Sequence, residues 1–344
     1  MSVAVGIDSH KATLVATAVD EVGRPLASQI FGNDPKGHKQ ALEWIVGLDE
    51  LRIVGIECSG SYGAALAWYL MDRGEDVREV PTARTYGERK RKSSDGKSDA
   101  VDALAIARVV ARESELPVPK RAGLMVDLKL LTDHRDRLTR ARTRLSNQVH
   151  KELVILRPGY QKTIKSLRSK KHVRAALALI EGDTSIRAEL TRLRLHERLR
   201  LDDEIYRFGK RIEALVFESR TSLTDMKGVG SFAAAKILGE VGDVSRIRSK
   251  AAFASLAGTA PLVASSGQRH RHRLNRGGNR QLNHALHVIA KSQSRAVPEV
   301  REYVGRKLQE GKSYKEALRC LQRRLTDVVY KTLLEDARRL ASTT

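Results

Sequence analysis

The stretch VAVGIDSHKATLVATAVDEVGRPLASQIF, residues 3–31, opens the chain with three short apolar runs. VAVGID (3–8) and ATLVATAV (12–19) have strand composition, and the turn Glu21-Val22-Gly23-Arg24 leads into a third run at PLASQIF (25–31). Links this short join antiparallel strands, so the three runs predict a meander. Residues 35–47 have helical spacing, with Leu42, Ile45 and Val46 on one face. RIVGIE (52–57) reads as a buried strand, and a helix carrying Ala64, Leu66, Ala67 and Leu70 follows the turn Ser59-Gly60-Ser61. DVREVP (76–81) reads as one more strand, and a helix follows near 98–113. The predicted order is three strands, helix, strand, helix, strand, helix.

Composition bounds what such a chain does. The 344 residues exceed one ordinary domain, and 41% hydrophobic with 30% charged residues is globular composition. No apolar run approaches the roughly 20 residues of a membrane helix, which excludes an integral helical membrane protein. MSVAVGIDSHK lacks the basic region and long apolar core of a secretory signal, so a cytoplasmic location is expected. Two cysteines, Cys58 and Cys320, exclude a disulfide scaffold and a Cys-based zinc site. The formal net charge of +22 points to a polyanionic partner, with nucleic acid first. Residues 1–80 carry 7 basic and 12 acidic residues, so a slightly acidic front is joined to a strongly basic body. Aromatic residues, at 4%, are too few for stacking platforms to be the obvious binding mode.

Three regions follow, 1–115, 116–220 and 221–344. Residues 84–97, RTYGERKRKSSDGK, form a basic loop in which Arg89, Lys90, Arg91 and Lys92 could meet phosphate or simply be solvated. In the second region, Leu124, Leu128, Leu131, Leu138, Leu145, Val149, Leu153 and Leu156 step mainly by three, four or seven, up to a break at Pro158-Gly159. Helices are expected over 161–180 and 184–219, giving an antiparallel helical arm or coiled coil. Its stripe serves internal packing or an oligomer seam. The third region opens with LTDMKGVGSFAAAKILGEVG (223–242), which has the pattern of a helix–hairpin–helix. There Gly228 and Gly230 could let backbone N–H groups approach a phosphate, with charge from Lys227 and Lys236; an ordinary tight turn is the alternative. RHRHRLNRGGNRQLNHALHVIAK (269–291) has no acidic residue. Arg269, Arg271, Arg273, Arg276 and Arg280, with Asn279, are expected to contact DNA or RNA. His270 and His272 lack a nearby Cys, Asp or Glu, which favours phosphate contact over a metal site. A helical pattern returns at 311–341.

Four carboxylates carry the chemistry. Asp8 ends the first strand and Glu57 the central one, while Asp99 and Asp102 share one helix face at i and i+3. Taken singly, these acids begin turns or cap a helix. Taken together, carboxylates at the ends of apolar strands call for compensation, and a pair of Mg²⁺ or Mn²⁺ ions supplies it. Two such ions clamp the attacking and leaving oxygens of a phosphodiester. The element order is that of the ribonuclease H-like fold, in which acids from the first strand, the central strand and a late helix converge.

GIDSHK, IECSGSYG and KSDAVDALAIAR resemble the Asp-Glu-Asp-Asp motif of bacterial insertion-sequence transposases related to Piv-type DNA invertases. The resemblance resumes in MKGVGSFAAAKILGEVGDVSRIRSKAAFASLAGTAP and in a Ser-Gly followed by a basic stretch and Arg-Gly-Gly-Asn-Arg. It covers nearly the whole chain, with its motifs in the expected order. Two departures are small: Cys58 follows Glu57, and Ala-Val lies between Asp99 and Asp102. The resemblance implies a RuvC-like α/β domain holding metal at Asp8, Glu57, Asp99 and Asp102, a long helical middle, and a mainly α C-terminal transposase domain. It further implies a serine nucleophile, at Ser266 or the adjacent Ser265, that cuts and rejoins strands during excision and integration. A noncoding guide RNA, donor and target DNA, and a dimer or tetramer are its implied partners. A hydrolytic RuvC-like structure-selective DNA nuclease, needing only the four acids and a water, is the competing reading. A non-enzymatic nucleic-acid scaffold rests on charge alone.

Overall fold

The computed structural model describes residues 3–49, 51–57, 60–82, 84–85, 99–119, 123–263, 272–273, 275 and 277–342. The chain divides into two compact units, Met1–Ala122 and Gly123–Thr344.

In the first unit, β1 (Val3–Ser9), β2 (Thr13–Val19) and β3 (Pro25–Gly32) form the antiparallel meander, and β4 (Arg52–Ile56) and β5 (Val77–Glu79) add in parallel on the other side of β1. The sheet order is β3-β2-β1-β4-β5, which is the ribonuclease H-like arrangement expected above. Helices α1 (Pro35–Val46) and α2 (Ala64–Met71) make the long links that parallel pairing needs. They contribute Ala41, Ile45, Leu66, Ala67 and Leu70 to a core shared with Val5, Ile7, Val54 and Ile56. The last strand is shorter than the 76–81 run predicts.

One packing contact controls the rest. Helix α3 (Asp99–Arg112) lies across the sheet, burying Ala103, Ile106, Ala107, Val109 and Val110. Beneath it, Gly6 of β1 and Gly55 of β4 are register partners. A Cβ on Gly6 would stand 2.1 Å from the Ala107 amide nitrogen and 2.3 Å from the Ala103 carbonyl oxygen, and one on Gly55 would stand 2.1 Å from a Val110 methyl. The glycines let the helix backbone approach the strands directly.

In the second unit, α4 (Leu124–Leu156) and α6 (Ile186–Glu218) are two 33-residue helices, with α5 (Lys170–Leu179) between them in sequence. Their side-chain contacts step in opposite directions, Glu152 with Arg187, Arg142 with Asp202, and Gly209 beside Arg135, so the pair is an antiparallel arm. Val149 and Leu153 of the predicted stripe pack with Tyr160, Ile164, Val173 and Leu195 at the tip; Leu128 and Leu131 join a separate core at the base. The helix expected over 161–180 begins only at Lys170, because Gly159 is left-handed and a 3₁₀ turn, Tyr160–Lys162, intervenes.

The base core is helical. It gathers α7 (Ser231–Val241), α8 (Lys250–Leu256), α9 (Arg280–Ala296), α10 (Pro298–Gln309) and α11 (Tyr314–Ala341) around Phe253, Leu282, Leu286, Ile289, Leu321 and Val329. A two-stranded hairpin, β6 (Leu262–Val263) with β7 (His272–Arg273), projects between α8 and α9 in sequence. No described helix is long and apolar enough to cross a membrane.

Candidate functional site

The tetrads Val5-Gly6-Ile7-Asp8 and Val54-Gly55-Ile56-Glu57 run in parallel register, Val5 against Val54, Gly6 against Gly55 and Ile7 against Ile56. The Glu57 amide continues the ladder by donating to the Ile7 carbonyl at 3.2 Å, which brings the two acidic residues to neighbouring strand ends. Side chains two apart on a strand share a face. Asp8 therefore sits on the face that Gly6 presents to α3, and Glu57 on the face that Gly55 presents to it. Asp99 and Asp102 occupy the first turn of α3. Carboxylates are favourable there because the helix N-terminus is partially positive.

All four acids sense one another at Asp8. Burial pushes the Asp8 carboxyl above its ordinary value; His10 opposes the rise, and the charges of Asp102, Glu57 and Asp99 add to it. Asp8 Oδ2 is buried and accepts no hydrogen bond. His10 Nε2 stands 3.3 Å from that oxygen, outside hydrogen-bonding geometry, and 3.4 Å from Asp99 Oδ1. Ligand atoms of Asp8, His10 and Asp99 all lie within 4.8 Å of one another, a spacing that one metal ion could bridge. Glu57 is 5% exposed, with Thr85 Oγ1 3.4 Å from its Oε2 and the Ser9 hydroxyl donating to its carbonyl at 2.9 Å.

His10 was not among the acids read from the sequence; a lone histidine in Ser-His-Lys carries no spacing signal. Its placement has a built support. The Asn33 amide donates to the His10 carbonyl at 2.8 Å and to the Tyr62 carbonyl at 2.9 Å. His38 Nε2 donates in turn to Asn33 Oδ1 at 2.8 Å, and burial lowers the His38 pKa below its ordinary value against the opposing charge of Asp34.

The basic candidates separate into several groups. Arg89, Lys90, Arg91, Lys92, Arg269, Arg271, Arg276, His270 and both serines, Ser265 and Ser266, lie outside the described residues, as does the side chain of Arg273. Arg280 is exposed as the first residue of α9. Lys236 is corrected: it is 3% exposed and ion-paired with Asp136 of α4, so its ammonium is spent inside the unit. Asn279 is corrected likewise. Its Oδ1 caps α9 by accepting from the Gln281 and Leu282 amides, both at 2.9 Å, and its Nδ2 donates to Glu240 at 2.6 Å. Gly228 is left-handed, as a hairpin glycine must be, and an added Cβ would meet Gln293, whose amide already holds the Lys227 carbonyl at 2.6 Å. Gly230 precedes α7 with open space around it.

Two family models match in succession. The DEDD transposase model of IS110 type, described as "Transposase", covers residues 5–158, and the "Transposase IS116/IS110/IS902 family" model covers 220–305. Over both segments the chain is similar to insertion-sequence transposases of the IS110/IS116 type. The IS116 uncharacterized 44.8 kDa protein of Streptomyces clavuligerus is 28% identical, over 97% of this chain and 95% of that one. The IS900 uncharacterized 42 kDa protein of Mycobacterium paratuberculosis is 26% identical over 96% of each. The IS110 uncharacterized 43.6 kDa protein of Streptomyces coelicolor is 40% identical, over 32% of this chain and 28% of that one. Among solved structures, Thermus thermophilus RuvC, free and with a Holliday junction substrate, matches 31% of this chain and 91% of its own, at 17–18% identity and a TM-score of 0.25. Asp8, Glu57, Asp99 and Asp102 all lie inside the first matched segment.

Proposed function

We propose that this chain is a DNA strand-cutting transposase whose carboxylate site works with Mg²⁺ or Mn²⁺. The observation that carries the reading is Asp8 Oδ2, a buried oxygen without a hydrogen bond, surrounded by the charges of Asp102, Glu57 and Asp99. Desolvated like charges destabilise one another, and a divalent cation reverses the sign of that interaction. Hard oxygen donors with a single imidazole fit Mg²⁺ or Mn²⁺. When bound, such ions supply Lewis-acid stabilisation of the phosphoryl oxygens during strand cleavage.

The residues of the chain have distinct parts in this reading. The paired strands fix Asp8 and Glu57, the first helical turn fixes Asp99 and Asp102, and His10 spans Asp8 and Asp99. The test is cleavage of supercoiled and branched DNA by the full-length protein. Cutting should require Mg²⁺ or Mn²⁺ and fall by roughly 10³-fold in Asp8→Ala, the loss of several kcal/mol of transition-state stabilisation. Undiminished cutting by Asp8→Ala would remove the reading.

The finer reading adds rejoining. In it, residues 1–115 hold the metal, 116–220 form a helical arm and 221–344 handle the strand. The Ser266 hydroxyl, or that of Ser265, gives up its proton and attacks a phosphodiester, forming a phosphoserine bond and freeing one strand end as a hydroxyl. A guide RNA directs donor and target DNA, and a dimer or tetramer completes the assembly. Arg89, Lys90, Arg91, Lys92, Arg269, Arg271, Arg273, Arg276 and Arg280 hold phosphate, and Gly228 and Gly230 bring backbone N–H groups to it. Ser266→Ala should abolish covalent protein–DNA adducts and strand joining. Under the hydrolytic reading the same variant still cuts and never formed an adduct.

A further inference from the structure

Helix α4 carries no acidic residue from Arg137 to Lys151. Its exposed positions in that span are Arg137, Arg140, Thr143, Arg144, Asn147, Gln148 and Lys151, which recur at helical spacing along one stripe about 21 Å long. Among the described residues, Arg137, Arg140, Arg144 and Lys151 form no ion pair, whereas Arg142, turned toward α6, pairs with Asp202. On the neighbouring helix, the exposed Arg187, Arg200 and Lys210 of α6 each pair with a carboxylate. Arg207 and Arg211 of α6 lie over the Phe208 ring instead; the α4 stripe from Arg137 to Lys151 is the longer run of cations without a carboxylate partner among the described residues. Like charges three or four residues apart repel by a few tenths of a kcal/mol each.

A second bare face lies alongside. Helix α9 has no acidic residue, and Arg280, His284, His287, Lys291 and Arg295 recur on one side of it at steps of three or four. Glu240 of α7 accepts from Lys129 of α4 and from Asn279 at the cap of α9, which brings the start of this face beside α4 within the same unit. A duplex carries one negative charge per about 1.7 Å of axis, so about twelve phosphates run past a stripe of this length. Thr143, Asn147 and Gln148 add neutral hydrogen-bonding groups of the kind that contact phosphate and sugar.

We propose that the α4 stripe from Arg137 to Lys151, continued by the basic face of α9, is a docking surface for duplex DNA held through its phosphates. The inference takes only the class of partner from the function proposed above. It is tested without metal, by fluorescence anisotropy of the full-length protein with EDTA, on duplex DNA and duplex RNA of one length over a series of salt concentrations. In the combined variant Arg137→Gln, Arg140→Gln, Arg144→Gln, affinity should fall at least about tenfold near physiological salt, with the slope of log affinity against log salt reduced by about three. Restoring charge with Arg→Lys at the three positions should restore the slope. Arg200→Gln, which touches a paired arginine, should change neither quantity, and Arg144→Glu alone should weaken binding if the triple variant folds poorly. Loss on DNA supports the surface. Unchanged affinity and slope on DNA, loss confined to RNA, or a change only in self-association overturns it. Because the readout needs no metal, a chain that binds in this way but never cuts would refute the proposed function and leave the surface standing.

Discussion

The mouth of the sheet in the first unit and the outer stripe of α4 in the second are opposites in sign and alike in design. Around Asp8, the charges of three further carboxylates bear on a buried oxygen that accepts no hydrogen bond and has only the His10 imidazole beside it. Along α4, four cations stand in a row with no carboxylate among the described residues to answer them. Buried charges elsewhere are paired. Arg198 is 2% exposed and engages Asp202, the Ser146 hydroxyl and the Leu167 carbonyl. Asp336 receives the Thr221 and Ser222 hydroxyls, the Ser222 amide and Arg339. Charge left unanswered in such a molecule marks where a partner of opposite charge belongs: a cation at the sheet, a phosphate backbone on the arm.

Substitutions at paired and unpaired charges should therefore behave differently, and the largest effect belongs to an internal pair. Lys236→Met should cost about 3 kcal/mol by stranding Asp136, measured by denaturant unfolding, with no loss of nucleic-acid affinity in the folded protein. A loss of affinity without loss of stability would return Lys236 to the binding surface and blur the contrast. Gly6→Ala forces α3 off the sheet and should cost about 2 kcal/mol, with loss of cutting because Asp99 and Asp102 move with the helix.

Asp336→Asn should cost about 2 kcal/mol at neutral pH. Burial alone would raise the Asp336 pKa, but the hydrogen bonds it accepts prevail and hold it below the ordinary value. Its stabilisation is thus complete above the ordinary carboxylate range and is lost as pH falls through the lowered value; the variant should lack that acid-dependent loss in thermal melts. The smallest effect has the opposite sign. Asp8 is raised, so its ionisation opposes folding, and the opposition vanishes as pH falls below the ordinary value. Asp8→Asn should raise the Tm of the metal-free protein slightly at neutral pH, not in acid, and should abolish any rise on adding Mg²⁺.

The sheet was legible because burial writes itself into strands: VAVGID, ATLVATAV and RIVGIE are apolar on both faces, and an acid at the end of such a run stands out. The helical arm was legible from its leucine steps and the Pro158-Gly159 break. Lys236 misled because a lysine after Phe232-Ala-Ala-Ala looks like a charge offered outward, while its partner Asp136 lies 100 residues away. Asn279 misled in the same way, since a cap and a base contact use the same amide. The α4 stripe was visible only as an Arg-rich helix; which arginines are answered depends on α6, whose position no local pattern encodes.

The equal phase of Val-Gly-Ile-Asp and Val-Gly-Ile-Glu has a consequence for how the gene tolerates change. Because alternation along a strand has a period of two, deleting one residue inside Arg52–Ile56 would turn Glu57 to the opposite side of the sheet and set a side chain where Gly55 admits the helix. Deleting one from the connection at 47–49, before the ladder begins, would leave the alignment untouched. Length variation among functional copies should collect in that connection and be missing from the strand, so the two tetrads act as a vernier by which the chemistry of the site checks the alignment of its own scaffold.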